Sequence, residues 1–592
     1  MSEGARTLNY PEPKAYNVSY EAPPTPQNPV IKGRPLALLA ALVENVSFLP
    51  TLLWRNAGFN ALRSRKELEG IEPRFDPTVI PTRQPGDEVP MGYPGVTDLR
   101  VPPQDINTRF YTVVDYHNAY KSGLITPSNV VEALLPLIQR DVAKRLPHST
   151  AFIDSKAEAV RQAAEDSTKR WKDGKPLGVL DGVPFGAKDD LDVKGYKRYI
   201  GTTKDYTEGK EVETSWCVAK VEEAGGIMVG KLSMHELGMD TTNNNPNWGT
   251  PLNPYNSNYY CGGSTGGGAY AVASGLIPFA IGSDGGGSIR IPSNYCGLYG
   301  LKPSHSRVST LPLISSDMSV VVRGPVASNM VDLEVSYRVL AQPNPSDPVS
   351  NQFPPPKPSQ GLPSSRSRTL GICRSWFDRA DPNVQQACHA ALQYLTSELG
   401  YKIIDIDLPL LYEGQIAHAM TILAEVTAST KSLTGLTPAN KILLSVSRAT
   451  PATDYLLAQK LRHIHMQHLA HLFQEHPGLI IVTPTTPNAG WPIGDGELSH
   501  GMSDGNSQVR NMEYVWLANF TGVPCLQFPV GYIEPVKGKG KIPVGLMGHG
   551  EWGTEKELIE FGYDGEAWMT QGHGGGRVMP KVWVDVLGMS GR

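Results

Sequence analysis

Paired cysteines are missing from this chain. Its six cysteines (Cys217, Cys261, Cys296, Cys373, Cys388 and Cys525) are scattered through 592 residues with no C-x-x-C spacing. That excludes a disulfide framework and a structural zinc site, and it points to reduced thiols in a cytoplasmic protein. A surplus of one charge is missing too. Fifty-four basic and 58 acidic residues give a net charge of −4, with no basic stripe or acidic tail, so nucleic acid is not an expected partner. The opening MSEGARTLNYPEPK lacks the basic and apolar regions of a secretory signal, and the closing MSGR is no recognised address. No apolar run of bilayer length is free of interruption. The nearest, Pro35 to Trp54, lies between Lys32, Arg34 and Arg55 and carries Glu44, Asn45 and Pro50 inside it. A carboxylate at mid-span is costly. The segment therefore reads as a helix packed on the protein body or on a second copy in a homodimer. Peripheral membrane contact through residues 35–54 is the next reading, and a true span the least favoured.

Glycine and proline are abundant instead. Sixty Gly and 50 Pro exceed the usual share of a globular chain, without the G-X-Y period of collagen or the bias of a disordered chain. They are not evenly spread. Sixteen prolines fall before residue 105, and twelve glycines fall between Gly262 and Gly300. The first cluster reads as an extended proline-rich leader, 1–105, whose one regular element is the apolar helix. The rest, 106–592, reads as one catalytic domain. Thr126 is an expected N-cap before Pro127 and the apolar-periodic VVEALLPLIQRDVAKRL, and residues 155–172 form a more polar helix. Then GVLDGVPFGAKDDLD reads as a short strand ending in a lysine, WCVAKVEEAGGIMVGKLSM as helix, turn and strand, and GLIPFAIGSDGGGS as a buried strand opening into a glycine loop. After a linker-like stretch, 354–368, strands and helices alternate again through LIIVTPTTP and VPCLQFPVGY. The expected class is α/β: one large mixed β-sheet core surrounded by helices.

The glycine cluster holds the chemistry. GGSTGGG and DGGGS are backbone loops able to turn at positive φ and to present consecutive N–H groups to an anion. A phosphate loop requires a lysine after its last glycine, and here Ala269 and Tyr270 follow. An oxyanion hole fits better, built from the amides of Gly285, Gly286, Gly287 and Ser288, where one donor is often worth ~3–4 kcal/mol. Two serines compete as nucleophile. Gly262-Gly263-Ser264-Thr265-Gly266 matches G-x-S-x-G, but the polar PLNPYNSNYY before it is no buried strand. Ser288 follows such a strand, LIPFAIG, with donors around it. Position favours Ser288, leaving Ser264 as an auxiliary hydroxyl.

The run GGSTGGGAYAVASGLIPFAIGSDGGGSIRIPSNYCGLYGLKPS resembles the signature of the amidase signature family of serine hydrolases. GVLDGVPFGAKDDLD resembles its lysine segment, NNPNWGTPLNPYN its approach to the signature, and NFTGVPCLQFPVG with IPVGLMGHG its C-terminal strands. The resemblance covers roughly residues 120 to 570 and leaves out the leader. It implies a Ser–Ser–Lys triad: Ser288 as acyl-forming nucleophile, Ser264 as bridging serine on a cis peptide after Gly263, and Lys188 as base. Gly238 is an expected substrate contact, where the family closes backbone over the scissile group. Two departures stand out: Thr265 replaces the common second serine, and Gly286 or a neighbouring glycine stands where the family often has threonine or isoleucine.

The implied function is cleavage of a small-molecule carboxamide, at a linear C–N bond other than a peptide bond, to acid and amine or ammonia through an acyl-Ser288 intermediate, with no cofactor and no metal. Ester or carbamate hydrolysis, acyl transfer on the same site, and an amidotransferase-type subunit are the alternatives. Lys188 acts as base only when neutral, so acylation should rise with pH, and Asp189 and Asp190 are expected to point away from it. Asp284 and Arg290 are expected to brace the oxyanion loop. The histidines of HIHMQHLAH, 463–471, read as a solvated helix face, and QGHGGGR, 571–577, as a mobile loop.

Overall fold

Strands that are buried on both faces read as nearly continuous apolar runs, because helices cover the sheet on either side. Such runs recur in the eleven-stranded sheet of a computed structural model, which describes residues 7–18, 28–83, 87, 92–100, 110–143, 145–314, 319–359, 368–574 and 576–591. In chain order the strands are β1 (Phe152–Asp154), β2 (Pro184–Lys188), β3 (Ile227–Leu232), β4 (Phe279–Asp284), β5 (Tyr299–Lys302), β6 (Val322–Ala327), β7 (Thr369–Ile372), β8 (Lys402–Asp405), β9 (Ile480–Pro484), β10 (Cys525–Ile533) and β11 (Ile542–His549). They form one sheet in the order β8-β7-β9-β11-β10-β5-β6-β4-β2-β3-β1. The pairs β7–β8, β7–β9, β2–β3 and β2–β4 are parallel and the remainder antiparallel, so the sheet is mixed as expected.

The parallel pairing of β2 with β4 positions the site. Ala187 lies opposite Ile281, so the C-terminal ends of both strands, Lys188 and Asp284, emerge on one edge of the sheet. Helices follow from equally local causes. Thr126 accepts a hydrogen bond from the Asn129 amide and caps the helix Pro127–Ile138, with Val130, Val131, Leu134 and Leu135 buried. The helix is shorter than its apolar pattern suggested. Pro136 removes a ladder hydrogen bond in its last turn, and Gln139 is already extended.

The leader differs from the single helix expected of it. Two helices, α1 (Arg34–Asn45) and α2 (Leu49–Asn56), meet at an angle of 112°. Val46 is extended, and Pro50 fits the first turn of a new helix while barring continuation of the old one. Ile31–Lys32 pairs with Met502–Ser503, and Thr7–Leu8 with Ile80–Pro81, so the leader is tied to itself and to the body. Among the described residues no single helix is long and apolar enough to cross a membrane. The six cysteines are all unpaired and buried.

Two minor expectations fail. In α3 (Ala452–Glu475), His465 and His468 are buried, not solvated. Each brings its Nε2 to 2.9 Å from a carbonyl oxygen, of Pro409 and Asp407 respectively. Burial pushes the His465 pKa down to about 4. No cluster of metal-ligating side chains forms among the described residues. In the Gly-rich stretch near the C-terminus, Arg577 is anchored. Its guanidinium donates to the Ser328 and Gly297 carbonyls and stacks on Phe110. Residues 360–367 of the second proline-rich stretch, and residue 575, lie outside the described residues.

Candidate active site

Lys188 ends β2 with its side chain turned inward and 1 % exposed. Its Nζ donates to Ser264 Oγ at 2.8 Å and to Ser283 Oγ at 2.7 Å. Ser264 and Ser283 are themselves buried. The Gly263–Ser264 peptide is cis, as the resemblance implied. The two serine loops are joined through the backbone: the Thr265 N–H donates to the Ser288 carbonyl at 3.2 Å, and the His235 N–H to the Ser264 carbonyl at 3.2 Å. No strand leads into Ser264, whereas Ser288 lies four residues beyond the end of β4, part-exposed and facing a cavity. The structure thus brings Lys188, Ser264 and Ser288 to one place, and a Cβ placed on Gly238 would stand 3.5 Å from Ser264 Oγ.

The loop after β4 is braced by charge. The Asp284 carboxylate accepts from the amides of Gly287 (2.7 Å) and Ile289 (3.0 Å) and from Arg290 Nε and Nη2, both at 3.0 Å. Burial alone would raise the Asp284 pKa, but the Arg290 charge and these donors hold it well below the carboxylate range. Asn519 clamps both: it donates to the Asp284 carbonyl at 2.7 Å and accepts from Arg290 at 2.6 Å. One expected oxyanion donor is thereby removed. The Gly287 N–H already serves Asp284, and φ at Gly287 is +106°. Only glycine fits there, as a Cβ would lie 2.6 Å from Val515 Cγ2. Gly285 and Gly286 line the cavity.

Asp189 turns away from Lys188 as expected, 3.4 Å from Lys231 and accepting from the Gly201 amide at 3.0 Å. Asp190 does not. It lines the cavity 3.7 Å from Arg323. Burial would raise its pKa, and the charges of Arg323 and Lys188 together with the Ser283 hydroxyl lower it. Arg323 shares the negative charge that would otherwise fall wholly on Lys188.

Two residues escaped the sequence reading. Ser283, as close to Lys188 as Ser264 is, had one available signal: a hydroxyl one residue before Asp284 on the strand parallel to that of the lysine. His418, in the helix Leu411–Ser429, had none. It is fully buried with Nε2 2.7 Å from the Gly285 carbonyl oxygen, and burial pushes its pKa down to about 4.

Above the serines opens a cavity of about 530 Å³. Ile416, Ile422 and Leu423 of the helix Leu411–Ser429 and Ile442, Leu443 and Val446 of the helix Pro438–Ser447 form much of its wall. Leu39 of α1 and Leu53 of α2 complete it, so the leader contributes to the site.

Comparison with known proteins identifies the family. The family model described as Amidase matches residues 133–559, a span that holds Lys188, both loop serines and His418. A fatty acid amide hydrolase of Medicago truncatula is 31 % identical over 492 residues, covering 81 % of this chain and 79 % of the relative. One of Arabidopsis thaliana is 32 % identical over 457 residues, covering 74 % and 73 %. In solved structures, the fold is shared with a bacterial aryl acylamidase of the amidase signature enzymes. That chain superimposes with a TM-score of 0.67 at 22 % identity, over 82 % of this chain and 99 % of its own. With the lysine and the glycine loop at the ends of adjacent strands and the cis serine 2.8 Å from the lysine, all inside the matched span, the chain belongs to the amidase signature family.

Proposed function

We propose that the protein hydrolyses a carboxamide, other than a peptide bond, between an apolar acyl chain and an amine or ammonia. The observation that carries the reading is the buried Lys188–Ser264 contact of 2.8 Å at the floor of an apolar cavity that Ser288 also lines. Ser288 Oγ attacks the amide carbonyl, and its proton passes through the Ser264 hydroxyl to neutral Lys188. The Gly285, Gly286 and Ser288 amides receive the charge that develops on oxygen. The proton then returns along the same relay to the leaving nitrogen, the C–N bond breaks, and water hydrolyses the acyl-Ser288 ester. Gly238 backs the bridging serine and borders the scissile group.

The walls contributed by Ile422, Leu423, Ile442 and Val446 support a long aliphatic acyl group, as does the activity in the names of the two plant relatives. We divide the chain into a leader, 1–105, and a catalytic domain, 106–592, a division that fits a family match starting at residue 133. The outward faces of α1 and α2 carry Leu38, Leu42 and Leu52, and Phe48 caps α2 between them, at 45–66 % exposure. They support peripheral contact with a membrane from which such a substrate would be drawn. The unpaired thiols support a cytoplasmic location.

A fluorophosphonate probe tests the core of this reading. Label recovered on Ser288, and loss of both label and hydrolysis in Ser288→Ala, is the expected result. Label on Ser264 would transfer the nucleophile to the other loop. A panel of short, aryl and long-chain amides, run with the full chain and with one lacking residues 1–56, tests the substrate class.

A further inference from the structure

We propose that His418 is a positioning residue for the oxyanion-stabilising amide of Gly286. The proposal rests on the acyl-Ser288 reading above and deepens it.

In a trans peptide the carbonyl and the next N–H lie in one plane and point in opposite directions. The Gly285–Gly286 peptide is trans. Its carbonyl is held from behind by His418 at 2.7 Å. Gly285 and Gly286 border the cavity, whereas His418 is fully buried and does not. A carbonyl drawn back onto the imidazole therefore sends the Gly286 N–H forward, into the cavity beside Ser288.

The loop needs such a pin. Three consecutive glycines give it more torsional freedom than any other tripeptide would. Asp284 fixes only the Gly287 and Ile289 amides. Among the described residues, the Gly285 carbonyl has no other donor than His418. The fit is close as well: a Cβ on Gly286 would lie 2.9 Å from His418 Cε1 and 3.0 Å from Met512 Cε.

Among the described residues the imidazole has no other polar partner. Its Nδ1 is buried without a hydrogen-bond partner, and the ring edge meets Phe520 with centroids 6.2 Å apart. An aliphatic side chain would fill this space without leaving a nitrogen stranded. The bond to Gly285 is what the ring supplies that a hydrocarbon would not. With Nδ1 lacking any donor or acceptor, the proton of the neutral ring sits on Nε2 and is donated to the carbonyl.

The test compares His418→Phe, which fills the space without a donor, with His418→Gln, whose amide N–H reaches the position of Nε2, and His418→Asn, whose amide falls short of it. Readouts are kcat, the affinity of a trifluoromethyl ketone that forms a tetrahedral adduct on serine, and the affinity of the carboxylate product. His418→Phe should lower kcat and ketone affinity together, by roughly 10- to 100-fold, a part of what removing an oxyanion donor outright costs. Product affinity should stay within about threefold of wild type, since the planar carboxylate spreads its charge over two oxygens and does not present the localised tetrahedral oxyanion that the Gly286 amide is aimed at. His418→Gln should recover most of the loss. Equal kcat in wild type and His418→Phe would overturn the proposal, and so would a parallel fall in product affinity. Should His418→Phe not fold, the other two variants decide: a kcat higher in His418→Gln than in His418→Asn supports the proposal, and equality overturns it. Ser288→Ala stands apart from these outcomes, because residual amide hydrolysis there would strike the acyl-serine reading itself.

Discussion

Lys188 Nζ lies 2.8 Å from Ser264 Oγ, and both side chains are 1 % exposed. A lysine this buried is shut off from bulk solvent, so what it takes from one hydroxyl it gives back through a hydroxyl. Ser283, 2.7 Å away on the other side, is the second acceptor that keeps the amine aimed. The arrangement is a two-way proton path, and its use differs between substrates.

An amine is a poor leaving group until it is protonated, whereas an alkoxide leaves more readily. Lys188→Ala and Ser264→Ala should therefore cut amide hydrolysis by about 10²–10⁴-fold, the usual range for a lost acid–base group. Hydrolysis of the ester with the same acyl group should fall less. Steady-state kcat on a matched amide and ester pair checks this. A ratio unchanged by either substitution would remove the relay from leaving-group protonation.

Asp284 and Arg290 are both fully buried, and each is the other's main counter-charge. Arg290→Met leaves the Asp284 carboxylate unpaired in the interior, at a cost of about 3–5 kcal/mol. In the wild type the Asp284 pKa is depressed, so its contribution is complete above the unfolded carboxylate range and is lost only as pH falls through the low folded value. Removing Arg290 reverses the sign, since burial then raises the pKa and protonation relieves the strain. The stability deficit of Arg290→Met should be larger at pH 7.5 than at pH 5 in thermal unfolding. A deficit that grows in acid would contradict the pairing.

Much of the fold was legible because its causes are local. Thr126 and Pro127 start a helix, and FAIGSD reads as a buried strand because both its faces are apolar or small. Ser288 and Ser264 stand out because glycine loops leave a pattern in the chain, whereas the roles of Lys188 and of Ser264 as the bridge follow from the resemblance to the family. The Gly287 amide is bound to Asp284 and not open to substrate because its direction depends on the backbone torsions of the loop, which composition does not record. Asp190 stayed near Lys188 because Arg323, 133 residues further on, shares its charge. His418 reaches Gly285 across the same order of separation, from the middle of a helix whose spacing shows only a buried face. Partners brought together by the sheet leave no periodic trace in either segment.

α1 buries Leu36, Ala40 and Val43 while turning Leu38 and Leu42 outward, and Phe48 and Leu52 extend the exposed face through α2. The inward Leu39 and Leu53 of the same helices line the cavity. Replacing Leu38 and Phe48 together by glutamate should reduce co-sedimentation with phosphatidylcholine vesicles. It should leave kcat on a short soluble amide within about twofold, since exposed changes remote from the chemistry are mild. Vesicle binding that is unchanged, or absent from the wild type, would argue for another role for this face.

Lys302 is a buried lysine outside the proton path, fully enclosed, with Nζ donating to the Pro303 carbonyl at 2.8 Å. Burial and the neighbouring Arg290 push its pKa down to about 7, although Asp284 and Glu555 pull the other way. Below that value the lysine is charged in both folded and unfolded chains, and the cost of burying the charge falls wholly on the folded one. Above it, the folded chain gives up the proton while the unfolded chain keeps it up to an ordinary lysine pKa near ~10.4. The unfolded state then binds more protons, so stability attributable to Lys302 rises with pH, by at most about 1.4 kcal/mol per unit. Lys302→Met keeps the stem and removes the titration. Loss of the bond to Pro303 shifts its stability by an amount that does not vary with pH. The stability of the Met variant relative to wild type should therefore be greatest at pH 6 and fall steadily towards pH 9, read from thermal midpoints of the two proteins in the same buffers. A difference that is flat across this window would mean that Lys302 holds one protonation state throughout.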